Sequence, residues 1–189
     1  MTELDPQAEF DTRVDRLLQT TCEVARQLVG AHQTAMGMLL GGDWGTARKY
    51  FSLSDKYGQW KEFTMPARGI GLHALVVARN VALRLTQDEV ERHPEWRGFA
   101  ESAGKHPPLR GLLAVPIVGE DGLNYGLLQA SDKIAGDFDE DDERRLQCLA
   151  AAAAVGLDAL RKVLALRTGQ PAPAAEVEAL PTFVVIESA

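Results

Sequence analysis

Side chains that could do chemistry are few in this chain and mostly scattered. Histidines stand at His32, His73, His93 and His106, cysteines at Cys22 and Cys148, and one dense acidic segment, SDKIAGDFDEDDE, occupies 131–143. Neither cysteine has metal-ligand spacing around it, and two cysteines this far apart make no disulfide framework. No nucleophile stands beside a base in a hydrolase-type motif, and no glycine-rich run has the spacing that cradles a phosphate. Glu140, Asp141, Asp142 and Glu143 suit the first turn of a helix, where the macrodipole favours negative charge, better than a metal site. Lys133, at a strand end just upstream, can reach an acid of that turn and fix the strand-to-helix corner, while Phe138 plugs the core beneath. Lys133, Phe138, Asp142 and Glu143 therefore read as a structural latch.

Lys and Arg number 20 against 27 Asp and Glu, a net charge of −7, and no basic run interrupts the acidity. Nucleic-acid backbones are bound by a cationic surface that releases counterions, so neither DNA nor RNA is expected as a direct partner. With 189 residues, 46% of them hydrophobic, the chain can bury a core of its own. No apolar run approaches the ~18 residues that span a bilayer. The start, MTELDPQAEF, lacks the basic-then-apolar order of a signal peptide. A cytoplasmic protein with no membrane insertion is expected. Both cysteines sit in helical patterns and read as small apolar packing residues.

The elements that must position these groups can be read along the chain. Phe10, Val14, Leu17, Thr21, Val24 and Leu28, spaced 4, 3, 4, 3 and 4, predict one buried stripe of a helix over 7–29 that stops at Gly30. A strand over 33–40 and the turn Gly41–Gly45 lead to a second strand with Lys49, Phe51 and Leu53 on one face. Residues 55–69 are an aromatic loop, 70–79 a short buried helix and 81–85 a third strand. Thr86 and Glu89 form a capping box for another short helix, and 94–110 is irregular. A hairpin joins 111–118 to 123–131, with Pro116 at an edge or bulge. A long helix from near Asp139 carries Leu146, Leu149, Ala153, Leu157, Leu160 and Leu164 inward. The order predicts an α+β domain, an antiparallel sheet of about five to six strands with flanking helices. Residues 1–30 supply the first helix, 31–166 the core and the long helix, and 167–189 a Pro/Ala linker ending in the β-prone patch LPTFVVIESA.

The stretch RGLLAVPIVGEDGLNYGLLQASDKIAGDFDEDDERRLQCLAAAAAVGLDAL, in this order of elements, resembles the C-terminal half of a GAF domain, a family of small-molecule-sensing modules that are mostly not enzymes. The resemblance extends over about 10–166, and HPEWRGFAESAGKHPPLRG and SLSDKYGQW resemble GAF domains found beside PAS and histidine-kinase modules in bacterial sensor proteins. It implies a GAF/PAS-like fold and a non-catalytic sensor in two-component-type signal transduction. It also implies a small-molecule pocket between the sheet and the 55–110 region, where Tyr57, Trp60, His73, Trp96, His106 and Arg110 are the lining candidates. The terminal helices would form a homodimer and pass the signal to a separate effector such as a kinase, with 180–189 free to add a strand to a partner's sheet.

Cyclic-nucleotide-binding members carry Asn-Lys, Phe and Asp-Glu in this region. Lys133, Phe138, Asp142 and Glu143 match, but Asp132 replaces the Asn and adds a charge that would repel a phosphate. A haem-binding member would need an axial histidine, with His73 placed first and His106 second. Bilin-binding members use a pocket cysteine, and none lies between 30 and 140, so the resemblance names no cofactor. Two alternatives stand beside the sensor: a free methionine sulfoxide reductase-like enzyme using Cys22 or Cys148, and an adaptor or dimerisation module with a filled pocket.

Overall fold

The computed structural model describes residues 5–39, 47–60, 71–96, 98 and 106–169. The turn at 41–45, Phe63 and the 180–189 patch lie outside the described residues.

Five strands form one antiparallel sheet in the order β2-β1-β5-β4-β3: β1 (Ala31–Met38), β2 (Arg48–Leu53), β3 (Leu83–Leu85), β4 (Leu112–Val118) and β5 (Asn124–Lys133). Helices α1 (Pro6–Leu28), α2 (Gly71–Arg79), α3 (Gln87–Arg92) and α4 (Glu140–Thr168) flank it, which makes the fold α+β. Thr86 and Glu89 form the capping box that opens α3. Among the described residues β3 pairs only with Leu112 to Ala114, so at Pro116 β4 has no strand on its β3 side, and the β4–β5 ladder shifts register at Ile117/Val118. The missing amide of Pro116 therefore costs the sheet no bond on that side.

Strand residues alternate between two faces, and the faces differ in what covers them. On the first, Met36, Met38, Leu113, Val115, Ile117, Leu128 and Ala130 pack against α1 and α4 in the main core. α1 meets this face through Phe10, Val14, Leu18, Thr21, Cys22 and Ala25, and Thr34 Oγ1 donates to the Cys22 carbonyl at 2.7 Å. The stripe read from spacing is thus rotated. Val24 and Leu28 are 44% and 41% exposed, and Leu17 flanks the core. In the last turns of α1 the small side chains Cys22 and Ala25 face the sheet, while Val24 and Leu28 turn to the side. On the second face Leu112, Ala114 and Leu127 pack with Leu72 and Val76 of α2, Val90 of α3, and Leu109 in a smaller core.

The pairing of β1 with β5 leaves no room for a side chain at Gly126. Gly126 has φ +139°, and a Cβ there would lie 1.9 Å from the Gly37 carbonyl oxygen, so only glycine fits.

Two polar anchors hold α4. At its start Asp139 and Asp142 form a capping box, and Lys133 Nζ donates to the buried Asp142 carboxylate. The Lys133 ammonium also lies 3.7 Å from Asp139 and 5.9 Å from the ring centre of buried Phe138. Glu143 stands outside this corner. Its carboxylate accepts from Arg84 Nε at 2.9 Å, which ties α4 to the edge strand β3. One helical position separates Asp142 from Glu143, and that turns the second acid away from the Lys133 side. Further along, Tyr125 OH donates to buried Asp158, whose other oxygen accepts from the Glu120 amide at 3.0 Å. Burial and the Asp158 bond push the Tyr125 phenol up to about 12, so it stays a donor. No helix among the described residues is long and apolar enough to cross a membrane.

Replacing Asp142 with Ala is expected to cost about 3 kcal/mol, because it strands the Lys133 ammonium and opens the capping box. Glu143→Ala removes a more exposed pair and is expected to cost under ~1 kcal/mol. Urea titrations of the two variants check the contrast; equal losses would contradict it.

Candidate functional site

The second face of the sheet changes character between β4 and β2. Ala35 of β1 pairs with both Phe51 and Gln129, and Gly37 pairs with both Lys49 and Leu127. The middle strand therefore presents only Ala35 and Gly37 here, and a Cβ built on Gly37 would meet no described atom within 4 Å. Among the described residues this leaves a hollow over β1, flanked by Lys49 and Phe51 of β2 and by Leu127 and Gln129 of β5.

Two histidines join this border from other elements. His73, in the first turn of α2, bonds through Nε2 to Gln129 Oε1. A carboxamide oxygen only accepts, so that nitrogen carries the proton. His106 Nδ1 likewise bonds to the Pro107 carbonyl. The segment that carries His106 is pinned to the sheet: Gln33 Nε2 donates to the Pro108 carbonyl at 2.6 Å, and the Arg110 amide donates to Ser131 Oγ at 2.9 Å. Burial, with the nearby charges of Lys49 and His106, pushes His73 below its ordinary 6.5, and the Gln129 bond only partly opposes this. Burial and Lys49 do the same to His106 against its Pro107 bond, and burial lowers Lys49. Lys49, His73 and His106 thus form one electrostatically coupled basic group, with Gln129 beside it.

A second cluster surrounds Asp132. This residue has φ +57°, and its carboxylate accepts from Lys56 Nζ and Tyr57 OH, each at 2.5 Å. Burial raises the Asp132 carboxyl, but the Lys56 and Tyr57 bonds outweigh it and hold the group below its ordinary value. Tyr57 is buried, and burial together with Asp132 pushes its phenol well up. Its ring meets Trp60 edge-on at 5.5 Å and His32 at 6.3 Å. Arg110 is exposed, and its carbonyl accepts from the Asp132 amide at 2.7 Å.

Of the six lining candidates, His73 bonds to Gln129 of this face, and His106 lies near enough to act on it electrostatically. Tyr57 and Trp60 gather at the Asp132 corner beside the Arg110 main chain, and Trp96 packs against the smaller core. Asp132 spends its charge inside that corner rather than on the hollow. Lys49 and the neutral amide of Gln129 join the two histidines on this face, and the sequence reading named neither as a site residue. The alternation of β2 carried a signal for Lys49, a cation on a face shared with Phe51 and Leu53.

The cysteines divide. Cys22 is fully buried, its Sγ 3.6 Å from the Tyr50 carbonyl, and burial pushes its thiol up to about 12, so a thiolate is scarce at neutral pH. Cys148 is exposed on α4, contrary to the packing role expected of it, because it points away from the inward face of Leu146, Ala150 and Leu157. It lines an open groove of about 700 Å³ with Leu28, Arg144, Arg145, Leu149 and Ala152. The same outer face carries Val155, 69% exposed, and Leu166, 85% exposed. Both cysteines lie on helices across the sheet from the hollow. His73 Nε2 is committed to Gln129, which does not suit an axial haem ligand. No group of three or more His, Cys, Asp or Glu able to hold a metal occurs among the described residues.

A family model described as a GAF domain matches residues 11–158. The chain belongs to the GAF domain family. Solved structures agree on the fold. The blue-light-absorbing form of the PixJ GAF domain of Thermosynechococcus elongatus is 15% identical with a TM-score of 0.64, covering 89% of this chain and 96% of that one. The GAF domain of a phosphoenolpyruvate-protein phosphotransferase from Coxiella burnetii is 18% identical with a TM-score of 0.60, covering 87% and 94%. A type II free methionine-R-sulfoxide reductase from Thermoplasma acidophilum is 16% identical with a TM-score of 0.57, covering 80% and 96%. This GAF domain thus shares its fold with proteins of different activities, and its function has to be argued from its own side chains.

The depressed histidines give a pH dependence. Below 6.5 the unfolded chain takes up protons that folded His73 and His106 refuse, so stability is lost as pH falls from 7 towards 5. Thermal melts across this range are expected to show a shallower decline for His73→Gln than for the parent; equal slopes would contradict it.

Proposed function

We propose that this GAF domain is a non-catalytic sensory module of bacterial signal transduction, which binds a small molecule over the second face of its sheet and signals through its terminal helices. One observation carries the reading: the two faces of one sheet are finished differently. The first is sealed by apolar packing under α1 and α4. Over β2, β1 and β5 the second presents Ala35 and Gly37 between Lys49 and Phe51 on one side and Leu127 and Gln129 on the other, with His73 bonded to Gln129. A few polar groups converging on a recess of small residues is what small-molecule sites require.

The terminal helices support the signalling half. Cys148, Ala152, Val155, Ala159, Val163 and Leu166, spaced 4, 3, 4, 4 and 3, run along the exposed side of α4, with exposed Val24 and Leu28 of α1 adding apolar surface. Such spacing suits a helix packed against another helix. In the proposed assembly the occupant is a second copy of this chain. The effector is a separate protein of the kinase-linked, two-component type, and 180–189 is the segment offered to its sheet edge. The buried thiol of Cys22 disfavours the reductase reading at that residue.

Gly37→Leu fills the recess without touching the first face. A metabolite panel screened by thermal shift is expected to give saturable stabilisation of the parent that Gly37→Leu abolishes; an undiminished response in the variant would sink the proposed site. Val155→Asp places a charge in the α4 stripe. Sedimentation is expected to show a dimeric parent and a monomeric variant; an unchanged distribution would remove the helix-mediated dimer.

A further inference from the structure

We propose that the ligand of this hollow is a neutral cyclic ureide, a flat ring whose N–H, C=O, N–H edge pairs with His73, Gln129 and Gln33. The inference rests on the sensory reading of the recess and names the chemical class it takes. His73 Nε2 is bonded to Gln129 Oε1, and among the described residues neither side chain makes another hydrogen bond or ion pair. The outer atoms of the pair are therefore unspent. The Gln129 amide nitrogen can donate, and His73 Nδ1 can accept.

Gln33 adds a third such group. It lies on the same face, two residues before Ala35 on β1, and it pairs with Ser131 while Ala35 pairs with Gln129. Gln33 thus stands diagonal to Gln129, about 7 Å away, a span that long side chains bridge. Its Nε2 donates to the Pro108 carbonyl at 2.6 Å, and this fixes which end of the amide is which, since a carbonyl only accepts. Gln33 Oε1 has no partner among the described residues, although the residue is only 7% exposed. A buried carboxamide with an idle oxygen is costly, so it is a group that a ligand can satisfy.

The three groups are acceptor, donor and acceptor, and Gln129 is the neighbour of both others. With His73 held neutral at pH 7, none of them is charged. An ionised ligand group bonded to these three would find no counter-charge among them, whereas a neutral one needs none. A ureide carries the complementary order, donor, acceptor and donor. Its flatness suits the space as well. Over Ala35 the middle strand contributes only a methyl group, and Phe51 of β2 and Leu127 of β5 flank the hollow with apolar surface. Apolar walls with a few placed polar groups are what hold a small molecule in one orientation.

The test uses the full chain and isothermal titration calorimetry, with uracil, hydantoin and 2-imidazolidinone as probes. The 1,3-dimethyl derivatives of uracil and 2-imidazolidinone keep the rings and lose the N–H donors. Succinimide carries the opposite order, C=O, N–H, C=O. At least one ureide is expected to bind saturably, with the dimethyl analogues and succinimide weaker by about tenfold or more, the loss for hydrogen bonds to a buried group. Gln129→Glu keeps an oxygen for His73 and removes the donor, and Gln33→Met keeps the length and removes the idle oxygen. Each is expected to weaken ureide binding by about tenfold or more. The analogue comparison is made on the parent, so it decides even where a variant fails to fold. Ureide binding unchanged in these variants, or matched by the dimethyl analogues or succinimide, overturns the proposal. So does a lack of ureide binding; if Gly37→Leu then still suppresses the response to another metabolite, the ureide is wrong and the recess stands. If neither response exists, both readings fall.

Discussion

The pairing of β1 with β5 is the contact on which the rest of the molecule depends. It sits at the centre of the sheet, and it brings two backbones together where Gly126 meets Gly37 with no room for a side chain. That pairing has two faces. It holds Met36 and Leu128 in line on the first face, where α1 and α4 bury them. On the second face β1 contributes only Ala35 and Gly37 between the flanking side chains of β2 and β5. The glycine that the strand pairing requires is Gly126, whereas a Cβ on Gly37 would meet no described atom within 4 Å.

β5 also links the recess to α4. Within its ten residues it carries Gln129, bonded to His73, and Lys133, bonded to Asp142 in the first turn of α4. The other end of the strand carries Tyr125, bonded to Asp158 midway along α4. A buried charge such as Asp142 stabilises little relative to an apolar pair, but it is costly to strand, so it specifies one arrangement of strand and helix. Under the sensory role, a shift in β5 would have to move α4 with it or break one of these anchors. That is a physical route for coupling, since both sites bear on one rigid element.

The parts of this architecture that were legible in the sequence are those with local causes. The hairpin after Gly111, the Thr86 capping box and the Lys133 corner are each fixed by residues within about twenty positions of one another. The family resemblance likewise rested on this stretch. The parts that were not legible depend on distant partners. Spacing alone put Val24 and Leu28 on the buried side of α1, yet close packing on the sheet chose Cys22 and Ala25. Cys148 looked like a packing residue because it sits in an alanine-rich helix, and only the position of the sheet shows that it faces outward. Tyr57 looked like a pocket wall, but its hydroxyl is drawn to Asp132, 75 residues away in the chain. Lys49 was visible as a cation on an apolar face; what it lacked was the knowledge that α2 and the segment before β4 bring two imidazoles to it.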